Sequence, residues 1–384
     1  MKTAILTQPL QNNYGGILQA WALQNVLKQL GHHVFMIQFC KKEYYHSSEE
    51  NIIRIKRFLK NCIKVMLGRK WYTISNHEQD TYIRQNTKYF IDKYITPITP
   101  LINSPSELRR YCDTSKFDAY IVGSDQVWRP LYSPKISNFF LDFTKDKLVK
   151  RVAYAASFGT EQWEFSVTET KKCAKLAQKF DAISVREDSG IKLCRKYLGV
   201  DAIQVLDPTL LLDKKYYEEL VTNENEPQRP GNLFCYVLDK GEAKDNLIKI
   251  IANRIGMIPF TTMPAKSFST DNYKKNKAEC VYPTVTAWLR SFMDAEFVMT
   301  DSFHGCVFSI IFNKPFVALG NASRGQSRFT SLLNLFGLEN RLCTTEEDIM
   351  EAYQTPIDWD SVNQKKTEWK DISIQFLKKI HGDT

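Results

Sequence analysis

The sequence predicts an α/β protein made of two Rossmann-like domains that face a central cleft. Three observations carry that prediction. Short apolar runs of strand length alternate with segments whose apolar residues recur at helical spacing. The alternation stops at one polar stretch, Asn223 to Asn232, which contains Glu224-Asn225-Glu226-Pro227-Gln228-Arg229-Pro230-Gly231, and then begins again. The chain of 384 residues is also longer than one hydrophobic core usually serves.

In chain order, residues 2–7 read as a strand. A polar turn with Asn12, Asn13, Tyr14, Gly15 and Gly16 follows, then a helix over 17–31 and a strand over 34–39. This opening has a glycine-bearing turn but neither GxGxxG nor the P-loop lysine, so it supports neither dinucleotide nor ATP binding. Residues 41–105 read as a helical insertion. Strands are expected over 119–122, 151–155, 182–185 and 203–206, each ending in a small polar turn. Together these make a first domain over 1–213. A linker over 214–231 leads to a second domain over 232–345, with strands expected over 233–238, 257–262, 295–299 and 315–319. A helical segment over 346–384 is expected to pack back across the first domain.

Composition narrows the class. The chain is 43% hydrophobic and 25% charged, the balance of a globular protein. Nine scattered cysteines, odd in number and without CxxC spacing, point to reduced thiols and to neither a disulfide framework nor a zinc site. The N-terminus turns polar at once and no run reaches the roughly 18 apolar residues of a membrane span, so a cytoplasmic protein is expected. Most of the net charge of +9 comes from one segment. Between Ile52 and Trp71 stand Arg54, Lys56, Arg57, Lys60, Lys64, Arg69 and Lys70 with no acid, and Ile52, Ile55, Phe58, Leu59, Cys62, Ile63 and Met66 recur at helical spacing. A basic amphipathic helix of this kind suits the anionic inner face of the cytoplasmic membrane; the alternative is a surface helix packed on its own domain. Nucleic acid is not expected, because no RRM, zinc-finger or helix-turn-helix pattern accompanies the charge.

The segment Thr300-Asp301-Ser302-Phe303-His304-Gly305 holds the main candidate chemistry. It follows an apolar strand and precedes a helix over 306–312, so it lies on a strand-to-helix turn. Ligands of open parallel sheets bind at such turns, where a helix N-terminus offers free N–H groups to an anion. The imidazole of His304 titrates near neutrality and can carry a proton there or hold an anionic group. The alternative is a hydrogen-bonded packing histidine.

Several segments, taken in order, are familiar. They are Asn13-Tyr14-Gly15-Gly16 with Leu18-Gln19-Ala20, Gly123-Ser124-Asp125-Gln126-Val127-Trp128, Ala156-Ser157-Phe158-Gly159, Ser184-Val185-Arg186-Glu187, Asp207-Pro208-Thr209 and the His304 motif. The set resembles the polysaccharide pyruvyl transferase family over nearly the whole chain. The resemblance implies a fold like that of GT-B glycosyltransferases and transfer of the enolpyruvyl unit of phosphoenolpyruvate to a sugar as a cyclic ketal. It implies an acceptor that is a polysaccharide, a glycan or a lipid-linked precursor, with phosphoenolpyruvate as co-substrate and no cofactor. The family's histidine falls on His304, and its Ser-x-Arg arginine falls on Arg186. One position departs. Where several members resemble Arg-x-His, this chain has Ser302, and Arg324 or Arg328 can supply the missing cation.

Phosphoenolpyruvate carries a phosphate and a carboxylate and therefore needs cations or helix N-termini on two sides. Arg186 offers a bidentate fork, and the turns at Gly15-Gly16 and His304-Gly305 offer backbone donors. Asn13, Tyr14, Ser124, Ser157 and Ser302 complete the expected substrate-binding set. His304 is the expected acid or base. Asp125 is expected to orient or deprotonate a sugar hydroxyl, the alternative being a helix cap. Arg186 has the alternative of a structural ion pair with Glu187 or Asp188. Tyr14, Trp128 and Tyr236 suit the faces of sugar rings, or core packing. Asp207 reads as a strand end at the domain junction, and Cys306 as packing. Two other functions remain compatible with the fold: a nucleotide-sugar glycosyltransferase and a non-catalytic glycan-assembly protein.

Overall fold

The computed structural model describes residues 1–40, 77–133, 135–144, 148–239, 241–320 and 326–379. The basic segment between Ile52 and Trp71 and the candidate Arg324 lie outside the described residues.

Eleven described strands form two parallel sheets. The first contains β1 (Lys2–Leu6), β2 (His33–Ile37), β3 (Ala119–Val122), β4 (Lys150–Ala156), β5 (Ala182–Val185) and β6 (Ile203–Gln204), in the order β2-β1-β3-β4-β5-β6. The second contains β7 (Leu233–Tyr236), β8 (Pro259–Phe260), β9 (Phe297–Thr300), β10 (Phe316–Leu319) and β11 (Leu342–Cys343), in the order β11-β10-β9-β7-β8. All the ladders are parallel. The central strands β3, β7, β9 and β10 are buried at every position, which is why they read as unbroken apolar runs rather than as alternation.

The strand order fixes where a ligand can sit. In the first sheet the chain leaves β1 toward β2 on one side and later places β3 on the other, so the order reverses between β1 and β3. In the second sheet it reverses between β7 and β9. Each reversal opens a crevice beyond the carboxyl ends of its two strands. The turns at Asn13 and Ser124 flank the first crevice, and those at Leu238 and Ser302 flank the second.

The domains are tied through apolar contacts. Tyr14 of the first domain stacks on Trp288 of the second, with ring centroids 5.6 Å apart. The C-terminal helix Trp359–Lys378 returns to the first domain, where Ser373 Oγ accepts the Leu206 N–H at 3.0 Å and Phe376 meets Tyr154. Part of the stretch expected to be linker is ordered: Lys214–Asn223 is a helix. Its polar composition hides one apolar face, on which Tyr217, Leu220 and Val221 are buried and the Tyr217 hydroxyl donates to the Thr209 carbonyl at 2.7 Å. Strand β11 has only two residues, too few to show a period in the sequence.

Candidate active site

The second-domain half of the site is built from the end of β9. Thr300 Oγ1 donates to the Tyr236 carbonyl at 2.8 Å and accepts the Ser302 N–H at 3.1 Å, which pins the turn to β7. Gly305 packs against that threonine: a Cβ there would stand 2.1 Å from Thr300 Oγ1, closer than any real contact. Asp301 is buried and accepts from Leu238 N at 2.6 Å, Asp239 N at 3.0 Å and Lys244 Nζ at 2.5 Å, so it braces the turn after β7. Ser302 is the N-cap of the helix Phe303–Ile311, and its hydroxyl makes no cap bond. His304 stands in the first turn of that helix, 6% exposed, with Nε2 3.5 Å from Asp207 Oδ2 of the first domain.

The first-domain half is a network of buried charges. Arg186 is 4% exposed at the end of β5; its Nη1 donates to Asp207 Oδ2 at 3.0 Å and its Nε to Glu187 Oε1 at 3.1 Å. Its Nη2 lies 3.7 Å from Asp125 Oδ1, beyond hydrogen-bond range, and is buried without a hydrogen-bond partner. The guanidinium rests on the ring of Phe303 from the second domain, 4.1 Å from the centroid. Burial alone would weaken its charge, but Glu187, Asp207 and Asp125 more than compensate and hold it protonated. The alternative of an ion pair with Glu187 is present, and Nη2 is the one corner of the guanidinium left without a hydrogen-bond partner.

Asp207 is the hub that the sequence did not reveal. Its Oδ1 accepts from Thr209 N at 3.1 Å and Thr209 Oγ1 at 2.7 Å, while Oδ2 faces Arg186, His304 and the Ser124 hydroxyl at 3.4 Å. Burial pushes this carboxyl up, yet His304, Arg186 and Thr209 together hold it below the usual carboxylate range. Glu187 was also missed as a site residue; its Oε1 accepts the Ser157 hydroxyl at 2.7 Å.

Asp125 follows β3 with φ of 64°, an unusual left-handed setting for a residue other than glycine. Its carbonyl accepts from Val127 N at 2.7 Å and Ser157 N at 3.0 Å, which fixes the turn and aims the carboxylate at Arg186. The segment that follows is a run of turns, so there is no helix at that point for Asp125 to cap. Ser124 is held by its hydroxyl on the Ala155 carbonyl at 3.1 Å and its N–H on Gln19 Oε1 at 3.0 Å.

The start of the first long helix, Tyr14–Gln29, closes the site. Asn13 is its cap and accepts the Gly16 N–H at 3.2 Å. Gly15 lies directly against His304, because a Cβ would stand 2.1 Å from the imidazole Cγ. Tyr14 is fully buried and its hydroxyl donates to the Pro283 carbonyl at 3.0 Å, so its ring serves the domain interface rather than an open sugar site. Trp128 and Tyr236 are buried as well, with Trp128 Nε1 donating to the Phe139 carbonyl at 2.9 Å. Burial also pushes the Cys306 thiol well up, which fits packing.

Of the two arginines expected to replace the cation absent at Ser302, Arg328 belongs to the helix Ser327–Phe336. Ser331 on the same helix accepts from Asp188 N at 3.1 Å and Gln204 Nε2 at 2.8 Å, docking it on the first domain. Burial, and then the charge of Arg186, lower the pKa of Arg328, while Glu187 and Asp125 oppose them; it therefore stands within electrostatic reach of that cluster.

Comparison with known proteins agrees with this layout. The chain is similar over its full length to Medicago truncatula UGT71G1 complexed with UDP-glucose, at 11% identity and TM-score 0.51, covering 99% of this chain and 98% of that one. It is also similar to the UDP-GlcNAc 2-epimerase of Neisseria meningitidis bound to UDP-GlcNAc, at 8% identity and TM-score 0.52, covering 99% and 100%. Arabidopsis thaliana UGT89C1 complexed with UDP-L-rhamnose gives 8% identity, TM-score 0.52 and 98% of each chain. At these identities the likeness establishes the fold, a two-domain GT-B arrangement, and nothing finer. No curated protein matches the chain. The family model for polysaccharide pyruvyl transferase matches residues 13–323, a span that takes in every motif assembled at the cleft. The chain belongs to the polysaccharide pyruvyl transferase family.

Proposed function

We propose that this transferase moves the enolpyruvyl unit of phosphoenolpyruvate onto two hydroxyls of a sugar, giving a pyruvate ketal and inorganic phosphate. The observation that carries the reading is the meeting of His304 from the second domain with Asp207 from the first, at 3.5 Å, beside Arg186 and Asp125. A proton carrier, a buried cation and a carboxylate then share one crevice.

The atoms balance with no further reactant. The methylene carbon takes a proton, and the central carbon, made electrophilic, takes the first sugar oxygen. The bond to the phosphate oxygen breaks, and the second sugar oxygen takes the vacated place. Of the two hydroxyl protons, one ends on the new methyl group and one leaves with phosphate. His304 handles a proton near the donor, and Asp125 orients or deprotonates a sugar hydroxyl. The unpartnered Nη2 of Arg186, the cation of Arg328 and the first-turn amides at Gly15 and His304 receive the donor's anionic groups. The acceptor is a sugar of a polysaccharide, a glycan or a lipid-linked precursor.

The test is phosphate release from phosphoenolpyruvate by the purified chain, with and without oligosaccharide acceptors, and mass spectrometry of the product. A pyruvate ketal on the acceptor is the expected result. Transfer of a sugar from a UDP-sugar, with phosphoenolpyruvate untouched, would overturn the reading.

A further inference from the structure

We infer that Asp207 is a positioning residue that keeps the His304 proton on Nε2 and so turns the basic Nδ1 edge toward the start of the first long helix. The inference rests on the reading of His304 as the proton carrier. It adds the residue that sets which nitrogen does that work.

Three observations lead to it. First, Nε2 is buried and has no hydrogen-bond partner, while Asp207 Oδ2 stands 3.5 Å away. An ionised carboxylate only accepts, so the nitrogen facing it is the one that bears hydrogen. Second, the opposite edge of the ring faces Gly15, where a Cβ would stand 2.2 Å from Nδ1. That edge therefore borders the first turn of the helix Tyr14–Gln29, whose leading amides suit an anion. A proton-bearing oxygen seated there would donate to Nδ1. Third, Asp207 cannot easily rotate away. Thr209 holds Oδ1 through two bonds at 3.1 and 2.7 Å, and Arg186 Nη1 holds Oδ2 at 3.0 Å. Among the described residues, the charged groups around this pair beyond Asp207 are Arg186, then Asp125, Glu187 and Arg328. The arrangement follows the general rule that the hydrogen bond at one imidazole nitrogen sets the role of the other.

The decisive measurement needs no substrate. The chain has six histidines, so nitrogen-15 labelling of histidine, with His304→Gln to assign the signals, resolves this ring. At about pH 8.5, above the usual imidazole range, the wild-type ring is expected to carry its proton on Nε2. Asp207→Asn is expected to lose that preference. Its kcat should fall about 100-fold, the upper end of what an outer-shell partner contributes, while KM for phosphoenolpyruvate changes by less than about threefold. Thr209→Val keeps the carboxylate but loosens its hold, and a fall in kcat of about tenfold is expected; it serves where the asparagine variant does not fold. A wild-type ring protonated on Nδ1, or an Asp207→Asn ring with the wild-type tautomer, overturns the inference. Should wild-type protein release no phosphate from phosphoenolpyruvate with any acceptor, the proposed function fails, and the tautomer spectrum still decides the role of Asp207.

Discussion

On the first-domain side of the cleft, Asp125, Arg186, Glu187 and Asp207 form a network in which each carboxylate has a stated place around one guanidinium. On the second-domain side, the turn from Thr300 to Gly305 commits its hydroxyl and carboxylate to bracing its own backbone and the turn after β7, and sends one imidazole across. The contrast shows how the labour is divided. The first domain holds its charges in a fixed frame, which on the proposed function would need no reorganisation during reaction. On the proposed function, the second domain would supply the mobile proton through His304 and, through Arg328, a further cation. Neither half is a site alone, since the His304 ring finds its carboxylate only in the other domain.

The largest effect should come from removing the imidazole. His304→Ala is expected to lower kcat about 1000-fold, within the range for a lost general acid or base, with circular dichroism unchanged. Near wild-type turnover by a folded variant would place the proton transfer in the first domain and erase the division just drawn. Next comes Gly15→Ala, which attacks the same contact from the opposite side. Its methyl would stand 2.1 Å from His304 Cγ, so the ring or the helix must shift. A fall in kcat of about 100-fold is expected, alongside a stability loss of about 1–3 kcal/mol from overpacking. Kinetics and urea denaturation of the same preparation separate the two, and an unchanged kcat would mean that the working enzyme does not hold His304 against Gly15.

The pattern of what could be read in advance follows from the range of the interactions. The turns after β1, β3, β5 and β9 were legible because a strand and the small polar turn that ends it are local in sequence, and His304, Asp125 and Arg186 sit on such turns. Asp207 was read as a strand end at the domain junction, because nothing local shows that it reaches both Arg186 and His304. Glu187 beside Arg186 resembled any charged neighbour until its bonds to Arg186 and Ser157 were seen. Tyr14, Trp128 and Tyr236 were ambiguous for a different reason. An aromatic ring with one polar atom suits a sugar or a core equally, and only the partners, such as the Pro283 carbonyl for Tyr14, decide between them.

A smaller effect is expected from the second domain's cation. Arg328→Gln keeps a polar side chain, though a shorter one, and removes the charge; it should raise KM for phosphoenolpyruvate about tenfold, the loss of one charge-assisted contact. kcat should stay within about twofold. If kcat falls while KM holds, Arg328 acts on charge that develops only in the transition state, and the second domain supplies more than a proton and a docking cation.

The smallest effect concerns Asn13, which the sequence offers as a substrate contact and the structure shows capping a helix. Its side chain accepts the Gly16 N–H at 3.2 Å and its carbonyl accepts the Ile17 N–H at 2.9 Å, so both acceptors serve the first turn. Asn13→Ala should therefore cost about 1 kcal/mol of stability, the usual value of a lost cap. Its effect on turnover should stay within about threefold, because the helix start frays without moving Gly15 far. Asn13→Ser tests the distinction more sharply, since serine caps a helix nearly as well as asparagine but does not carry an amide to a ligand. Thermal unfolding near wild type with full turnover in the serine variant would confine Asn13 to the cap. Restored stability with turnover still lost would place the Asn13 amide on the substrate, and the first domain's frame would then extend from the buried carboxylates to the mouth of the helix.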